Sequence, residues 1–364
     1  MNFETRARII ENTIDKMGHE GLEKVLESQI KEILNSPQSN LAEKDLVEIQ
    51  RDLMEEMDGY GPILPFFRDP LITEILIDSP SEIYIEKGGK LQKSEAQFAS
   101  EKTFHRLIKK LLHDIDRVAD QRHPMVDGTL ADGSRVHICL PPVSAGPVVS
   151  IRRHAQVQWS LETIQEEGMF SKETYEKLLT KINERANILI CGATGCGKTT
   201  FLRSLINKVP EHERVITVED TSELALTRPN TVSLLTRISL ENYLPSVTLN
   251  DLLKNALRMR PDRLVVGEIR SEEALVFLDA VSTGHTGSMS SIHGSSPSQG
   301  LSRLEHLVSR AAPQWSMESI RKLIYEGVDL VISLERKNKS RQVQEIAELA
   351  GLESFGYLLD SWPI

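Results

Sequence analysis

The eight residues Gly192-Ala193-Thr194-Gly195-Cys196-Gly197-Lys198-Thr199 constrain this chain more than any other feature. They match GxxxxGK[ST] and stand between an apolar β-branched run, NILIC, and a segment of helical period, TTFLRSLINK. A strand that ends in a glycine-rich turn and re-enters a helix points several backbone N–H groups at one spot, next to a helix N-terminus. That arrangement holds phosphate. Gly192 to Thr199, with Thr200 beside them, are therefore candidate nucleotide-binding residues. Lys198 would neutralise charge on the β and γ phosphates, and Thr199 would hold magnesium. Cys196 lies inside the turn and has two readings: a thiol activated by helix-end amides, or a filler where only backbone is used.

A phosphate turn of this kind needs a mostly parallel sheet around it. From Asn187 onward, the short apolar runs NILICG, RVITVE, RLVVGE, SMSSIH and LVISLE alternate with helical segments, which is the βαβ rhythm of an α/β domain. In such sheets ligands sit at the carboxyl ends of the strands, so polar residues closing these runs are candidates. Glu268 closes RLVVG and can polarise an attacking water; it is a candidate catalytic residue and metal ligand. Gly267 stands where many such enzymes place a magnesium-binding aspartate. Glu219, Asp220 and Glu223 follow RVITV and read either as cation holders, with Glu219 also catalytic, or as a solvated acidic loop. His293 closes SMSSI and could bond a γ-phosphate; alone it is also compatible with an ordinary surface histidine.

Upstream the pattern changes. Residues 1–57 carry apolar residues at helical spacing, broken at Asn35-Ser36-Pro37, and read as a helical arm that ends at Asp58-Gly59-Tyr60-Gly61-Pro62. Residues 58–153 read as a small α+β domain. It has a hairpin around Gly88-Gly89, a helix N-capped by Ser100, a second hairpin at Asp132-Gly133 between TLA and RVHICL, and a strand VVSIRR. A linker at 154–161 would lead to the α/β domain, 162–364. The 364 residues suffice for two cores.

Bulk properties restrict the function classes. With 43 basic against 53 acidic residues the formal net charge is −10, the wrong sign for a protein that mainly coats nucleic acid. Three cysteines, none in a CxxC pair, suggest neither a disulfide framework nor a zinc ribbon and fit a reducing cytoplasm. The first residues lack the apolar run of a signal peptide, and no window offers eighteen uninterrupted apolar residues, so membrane contact is expected through partners. A switch GTPase would need NKxD, and the nearest string is Asn207-Lys208-Val209-Pro210. A nucleic-acid translocase and an inactive nucleotide-bound scaffold remain as rivals.

The order of the phosphate turn, VEDTSEL, RMRPDRLVVGEIR, then STGHTG leading to SIHGSSPSQGLSRLE, resembles the type II/type IV secretion ATPase superfamily with its Walker A, Asp, Walker B and His boxes. It is most similar to the tight-adherence (CpaF-type) pilus ATPases, with type IV secretion traffic ATPases next. The absent CxxC pairs depart from the zinc-containing type II branch. The resemblance spans about 59–334 and implies a RecA-like P-loop domain preceded by a PAS-like α+β domain. It further implies a cytoplasmic hexameric motor that hydrolyses ATP with Mg2+ and works on an inner-membrane platform protein, without direct nucleic-acid contact. Residue by residue, Glu268 would be the Walker B glutamate, Glu219, Asp220 and Glu223 the Asp box, and His293 the His-box histidine with His285 accompanying it. Arg135 and Arg152, with Arg153 a further candidate, would reach nucleotide phosphates. Arg258, Arg260 and Arg270 would lie near subunit contacts.

Overall fold

In a computed structural model of the full chain, the described residues are 55, 59–153, 159–237, 245–337, 340–353 and 355–363. The expected helical arm, 1–57, lies outside them apart from Glu55, as does most of the linker at 154–161. Two compact units divide at Val157/Gln158.

From Gly61 the described part of the first unit has a one-turn 3-10 helix, Gly61–Ile63, and a short helix α1, Leu64–Arg68. Strands β1 (Ile72–Ser79), β2 (Glu82–Lys87) and β3 (Lys90–Lys93) follow, then helix α2 (Glu101–Asp114) and strands β4 (Met125–Thr129), β5 (Arg135–Cys139) and β6 (Val148–Arg152). They form a six-stranded antiparallel sheet in the order β3-β2-β1-β6-β5-β4. Gly88 and Gly89 (φ 59° and 73°) turn the first hairpin with Lys87 opposite Lys90, as a two-residue primed turn requires. Ser100 caps α2 in a capping box with Thr103. The second hairpin uses MVDGT as its outgoing strand, upstream of the TLA expected from sequence. Leu130 and Ser134 close the loop, and Gly133 carries the positive φ.

Strict alternation buries Ile75, Ile77, Ile83, Ile85, Val136, Ile138, Val149 and Ile151 against Phe104, Leu107, Ile108 and Leu111 of α2. The opposite face of this sheet therefore carries Glu74, Arg135, His137 and Arg152.

The second unit begins with α3 (Leu161–Glu166) and α4 (Lys172–Asn183) and continues β7 (Ile188–Gly192), α5 (Lys198–Ile206), β8 (Val215–Glu219), β9 (Thr231–Leu235), α6 (Leu249–Ala256), β10 (Arg263–Val266), α7 (Glu273–Ser282), β11 (Met289–Ile292), α8 (Pro297–Ala311), α9 (Met317–Gly327), β12 (Leu330–Lys337), β13 (Ser340–Glu353) and β14 (Gly356–Ser361). The eight strands are ordered β14-β13-β12-β7-β11-β10-β8-β9. The six from β12 to β9 run parallel, and β13 and β14 add an antiparallel edge.

Both faces are covered, so the central strands are buried throughout and mostly apolar, with Thr217, Ser290 and Ser291 among the buried polar exceptions. Leu189, Cys191, Val218, Leu264 and Val266 join a core with residues of α6 to α9, while Ile188, Ile190, Val265, Ile332 and Leu334 join another with α3, α4 and α5. This three-layer α/β/α sandwich is the P-loop domain read from sequence. Strand β9 and the β13–β14 hairpin had no counterpart in that reading.

Candidate functional site

Four parallel strands end side by side: β7 at Gly192, β11 at Ile292, β10 at Val266 and β8 at Glu219. Gly192 to Thr199, Glu268, Glu219, Glu223 and His293 consequently gather at the carboxyl edge of one sheet.

The turn after β7 leaves Ala193, Thr194 and Gly195 exposed. Gly195 (φ 75°) and Gly197 (φ 101°) adopt the left-handed conformation that bends the chain into α5, a backbone that favours glycine. Lys198 is buried, and its Nζ donates to the carbonyls of Gly192 (2.9 Å) and Ala193 (3.2 Å), so the ammonium is held inside the ring of loop amides. Thr199 and Thr200 form the first turn of α5.

Cys196 points inward and is 1% exposed. Burial raises its thiol pKa above the ordinary value, with the Lys198 charge only partly offsetting this. Of the two readings, the filler is the one its surroundings support: a protonated thiol packed under Gly192.

Glu219, 3% exposed, accepts at Oε1 from the backbone N–H groups of Glu223 (3.0 Å) and Leu224 (2.8 Å), while Oε2 is buried with no hydrogen-bond partner. Burial pushes its pKa up to about 7 against those two N–H donors, with the Glu223 charge adding to the rise. Thr199 Oγ1 donates to Glu223 Oε2 at 3.1 Å. Asp220 is half-exposed beside Arg270 (3.5 Å).

The glycine at 267 has a local cause. A Cβ there would stand 3.1 Å from Glu219 Cγ, so Glu219 occupies the space that an aspartate on β10's end would need.

Glu268 meets two basic side chains at this edge. Oε2 accepts from Nε of Arg270 at 2.8 Å and also from its Nη2, and Oε1 lies 2.8 Å from His293 Nε2 outside hydrogen-bonding alignment. Arg270 joins Glu268 to Asp220. Burial opposes its charge, and the Glu268 carboxylate more than restores it.

Not every expected residue comes to this edge. His285 precedes β11 and sits at the opposite, amino edge of the sheet, where Nδ1 meets the Ala280 carbonyl (3.1 Å) at the end of α7. Beside it the buried Arg263 bonds Glu213 (2.5 Å), Ile182 O (2.8 Å) and Gly287 O (3.3 Å), and the Gly287 backbone (φ 78°) leaves the guanidinium its space. Arg258 and Arg260 also lie at this end, where β10 begins.

In the first unit, Arg153 donates to the carbonyls of Phe66 (2.6 Å), Phe67 (2.7 Å), Asp69 (2.6 Å) and Ile72 (3.2 Å), tying β6 to the end of α1. Arg135 and Arg152 stand directly opposite each other on β5 and β6. On its other side Arg152 stands opposite Glu74 of β1, so a carboxylate flanks the pair on the same face of the sheet.

Sequence reasoning missed Arg203. It is buried in α5, donates to Glu223 O (2.7 Å), and places a positive charge beneath Glu219 and Glu223. A single arginine among the apolar residues of TTFLRSLI was its available signal.

The profile described as "Type II/IV secretion system protein" matches residues 56–352. The chain belongs to the type II/IV secretion system protein family. The conjugal transfer protein TrbB of Rhizobium radiobacter is 32% identical over 300 residues, covering 79% of this chain and 87% of the relative. Protein VirB11 of Agrobacterium fabrum is 33% identical over 322 residues, covering 78% and 91%. Among solved structures, the pilus retraction motor PilT with bound ADP superposes with a TM-score of 0.56 at 18% identity, over 82% of this chain and 80% of that one, which bears on the fold alone. This type II/IV secretion system protein thus has a RecA-like P-loop unit, and among its described residues no helix is long and apolar enough to cross a membrane.

Proposed function

We propose that the chain is an ATP hydrolase that powers pilus assembly or protein secretion through a membrane platform. The observation that carries the proposal is Glu268. It stands at the end of the strand β10, in the same sheet as the phosphate turn, with one oxygen held by Arg270 and the other turned to His293. A fixed carboxylate there can take the proton of a water that attacks the γ-phosphorus while the bond to the β-phosphate oxygen breaks, giving ADP and inorganic phosphate. Lys198 and the loop N–H groups offset charge on the departing and transferring oxygens.

Hard oxygen donors suited to magnesium are present: the Thr199 hydroxyl, the Glu223 carboxylate at 3.1 Å from it, and the unpartnered Oε2 of Glu219. Among the described residues no group of three or more His, Cys, Asp or Glu side chains could hold a metal. Bound Mg2+ would supply Lewis-acid stabilisation of the phosphoryl oxygens; Thr199, Glu219 and Glu223 would orient it or its waters.

Arg135 and Arg152 are the proposed phosphate contacts of the first unit, supported by their place on the face of the sheet turned away from its core. The proposed domain organisation is a helical arm at 1–57, an α+β domain at 58–153, a linker at 154–161 and the ATPase domain at 162–364. By analogy with its relatives the working form is a cytoplasmic homohexamer docked on an inner-membrane platform protein. Type IV secretion traffic is the alternative setting to a tight-adherence pilus. Equilibrium binding of fluorescent ATP, with ADP and GTP as competitors, tests the nucleotide reading. Micromolar ATP binding lost in Lys198→Ala supports it, whereas equal binding by both proteins contradicts it.

A further inference from the structure

The nucleotide turn has a neighbour that its own motif does not supply. Strand β12 pairs with β7 so that Leu334 lies opposite Gly192, the first glycine of the turn, and β13 returns along β12 with Arg341 opposite Arg336. The β12–β13 hairpin therefore runs past the carboxyl edge of the sheet alongside the turn. Arg341 is two residues before Val343, and period-two alternation puts both on one face. Val343 is buried in the same core as Cys196, Phe201 and Leu202 of the turn and its helix. This fixes the side on which Arg341 emerges: the side of α5.

The geometry agrees at the atomic level. A Cβ placed on Gly197 would lie 3.1 Å from Cδ and 3.6 Å from Nε of Arg341, so the arginine stem runs along the outer surface of the residue that caps α5. Its charge reaches the Cys196 thiol, whose pKa it helps lower against the larger effect of burial. Other arginines near this edge are engaged: Arg270 by Glu268 and Asp220, and Arg203 by Glu223 O. Among the described residues no hydrogen bond or ion pair is made by the Arg341 guanidinium, and the side chain is exposed. An unpaired guanidinium held against the N-cap of a phosphate-binding helix offers two parallel N–H donors to an anionic oxygen pair.

We infer that Arg341 is a nucleotide-binding residue that contacts the phosphates beyond the α-phosphate from the β12–β13 hairpin. It would complement Lys198, which approaches from inside the turn. This rests on the nucleotide reading above. It also gives the antiparallel edge of the sheet a function beyond closing the fold.

The test compares wild type, Arg341→Gln, Arg341→Lys and Lys198→Ala by isothermal titration with ATP, ADP and AMP, alongside thermal unfolding. A charge-assisted contact to phosphate is expected to cost Arg341→Gln roughly ten- to a hundredfold in ADP and ATP affinity. Arg341→Lys should retain part of it, AMP should be affected far less, and Tm should stay close to wild type. ADP affinity unchanged in Arg341→Gln, while Lys198→Ala loses binding, overturns the inference and leaves the nucleotide reading intact. Equal losses for AMP and ADP assign Arg341 to the α-phosphate, ribose or base and also overturn it. If wild type binds none of the three nucleotides, the nucleotide reading fails first and the inference with it.

Discussion

Arg263→Met is expected to destabilise the second unit severely without touching nucleotide chemistry. Arg263 is 1% exposed and bonds Glu213, itself buried, together with the carbonyls of Ile182 and Gly287. Burial opposes the ionisation of Glu213, but Arg263 outweighs it and holds the carboxyl below the usual carboxylate range. Methionine fills most of the volume and removes the charge, leaving a buried carboxylate and two carbonyls short of a donor. Losing one member of a buried pair costs about 3–5 kcal/mol. Because Arg185 remains 3.2 Å from Glu213 and is half-exposed, the lower part of that range is expected. In a unit of roughly 200 residues, 1 kcal/mol moves Tm by about 2–4 °C, so calorimetry should record a fall of at least ~6 °C. ATP affinity measured well below the lowered Tm should match wild type, since Arg263 begins β10 and the phosphate turn lies at the opposite edge. A Tm within 2 °C of wild type would refute the ledger. Intact Tm with lost ATP binding would place the Gly284–Gly287 segment in the nucleotide site after all.

Three other perturbations bear on separate parts of the account. Gly267→Asp should lower Tm rather than improve magnesium use, because its Cβ would crowd Glu219 Cγ at 3.1 Å; overpacking of this kind costs about 1–3 kcal/mol, and an unchanged Tm would contradict it. With both buried thiols held protonated, Cys191 at a pKa of about 12, a maleimide reagent should modify Cys139 in the native protein and Cys191 and Cys196 only on unfolding. Rapid native labelling of Cys196 would revive its redox reading. For Glu162, burial opposes ionisation, but hydrogen bonds from Lys208 and Tyr175 outweigh it and lower the pKa from 4.5 to about 2. A depressed carboxylate stabilises the fold above its unfolded pKa and loses that contribution as pH falls from about 4.5 through about 2. The stability gap between wild type and Glu162→Gln in urea titrations should therefore shrink between pH 6 and pH 3.5, and a constant gap would remove Glu162 from the pH response.

The parallel half of the α/β unit was legible because its strands are buried on both faces, which leaves short, mostly apolar runs ending in Gly192, Glu219 and Glu268. Strand β9 escaped because it is an edge strand: TVSLL is only partly buried, so neither a continuous run nor a clean alternation marks it. The β13–β14 hairpin escaped for a related reason, since SRQVQEIAELAGLE mixes charge with small residues along a half-exposed edge. Side-chain partnerships were the least legible. His285 and His293 sit in one short motif, yet α7 and β11 carry them to opposite edges of the sheet. Likewise Arg152 and Arg153 are consecutive in the sequence. The strand pleat turns one toward Arg135 and the other into carbonyls at and just beyond the end of α1. Gly267 read as a missing ligand until the bulk of Glu219 beside it became visible.

The central claim is that Glu268 activates water for ATP hydrolysis in an assembled ring. Its most direct test is phosphate release by purified wild type and Glu268→Gln across a concentration series, with light-scattering mass and ATP binding on the same samples. The account predicts turnover that rises as the ring forms in wild type and falls at least a hundredfold in the variant, with mass and ATP affinity preserved. Equal turnover in the two proteins would contradict it and show that another group does the chemistry.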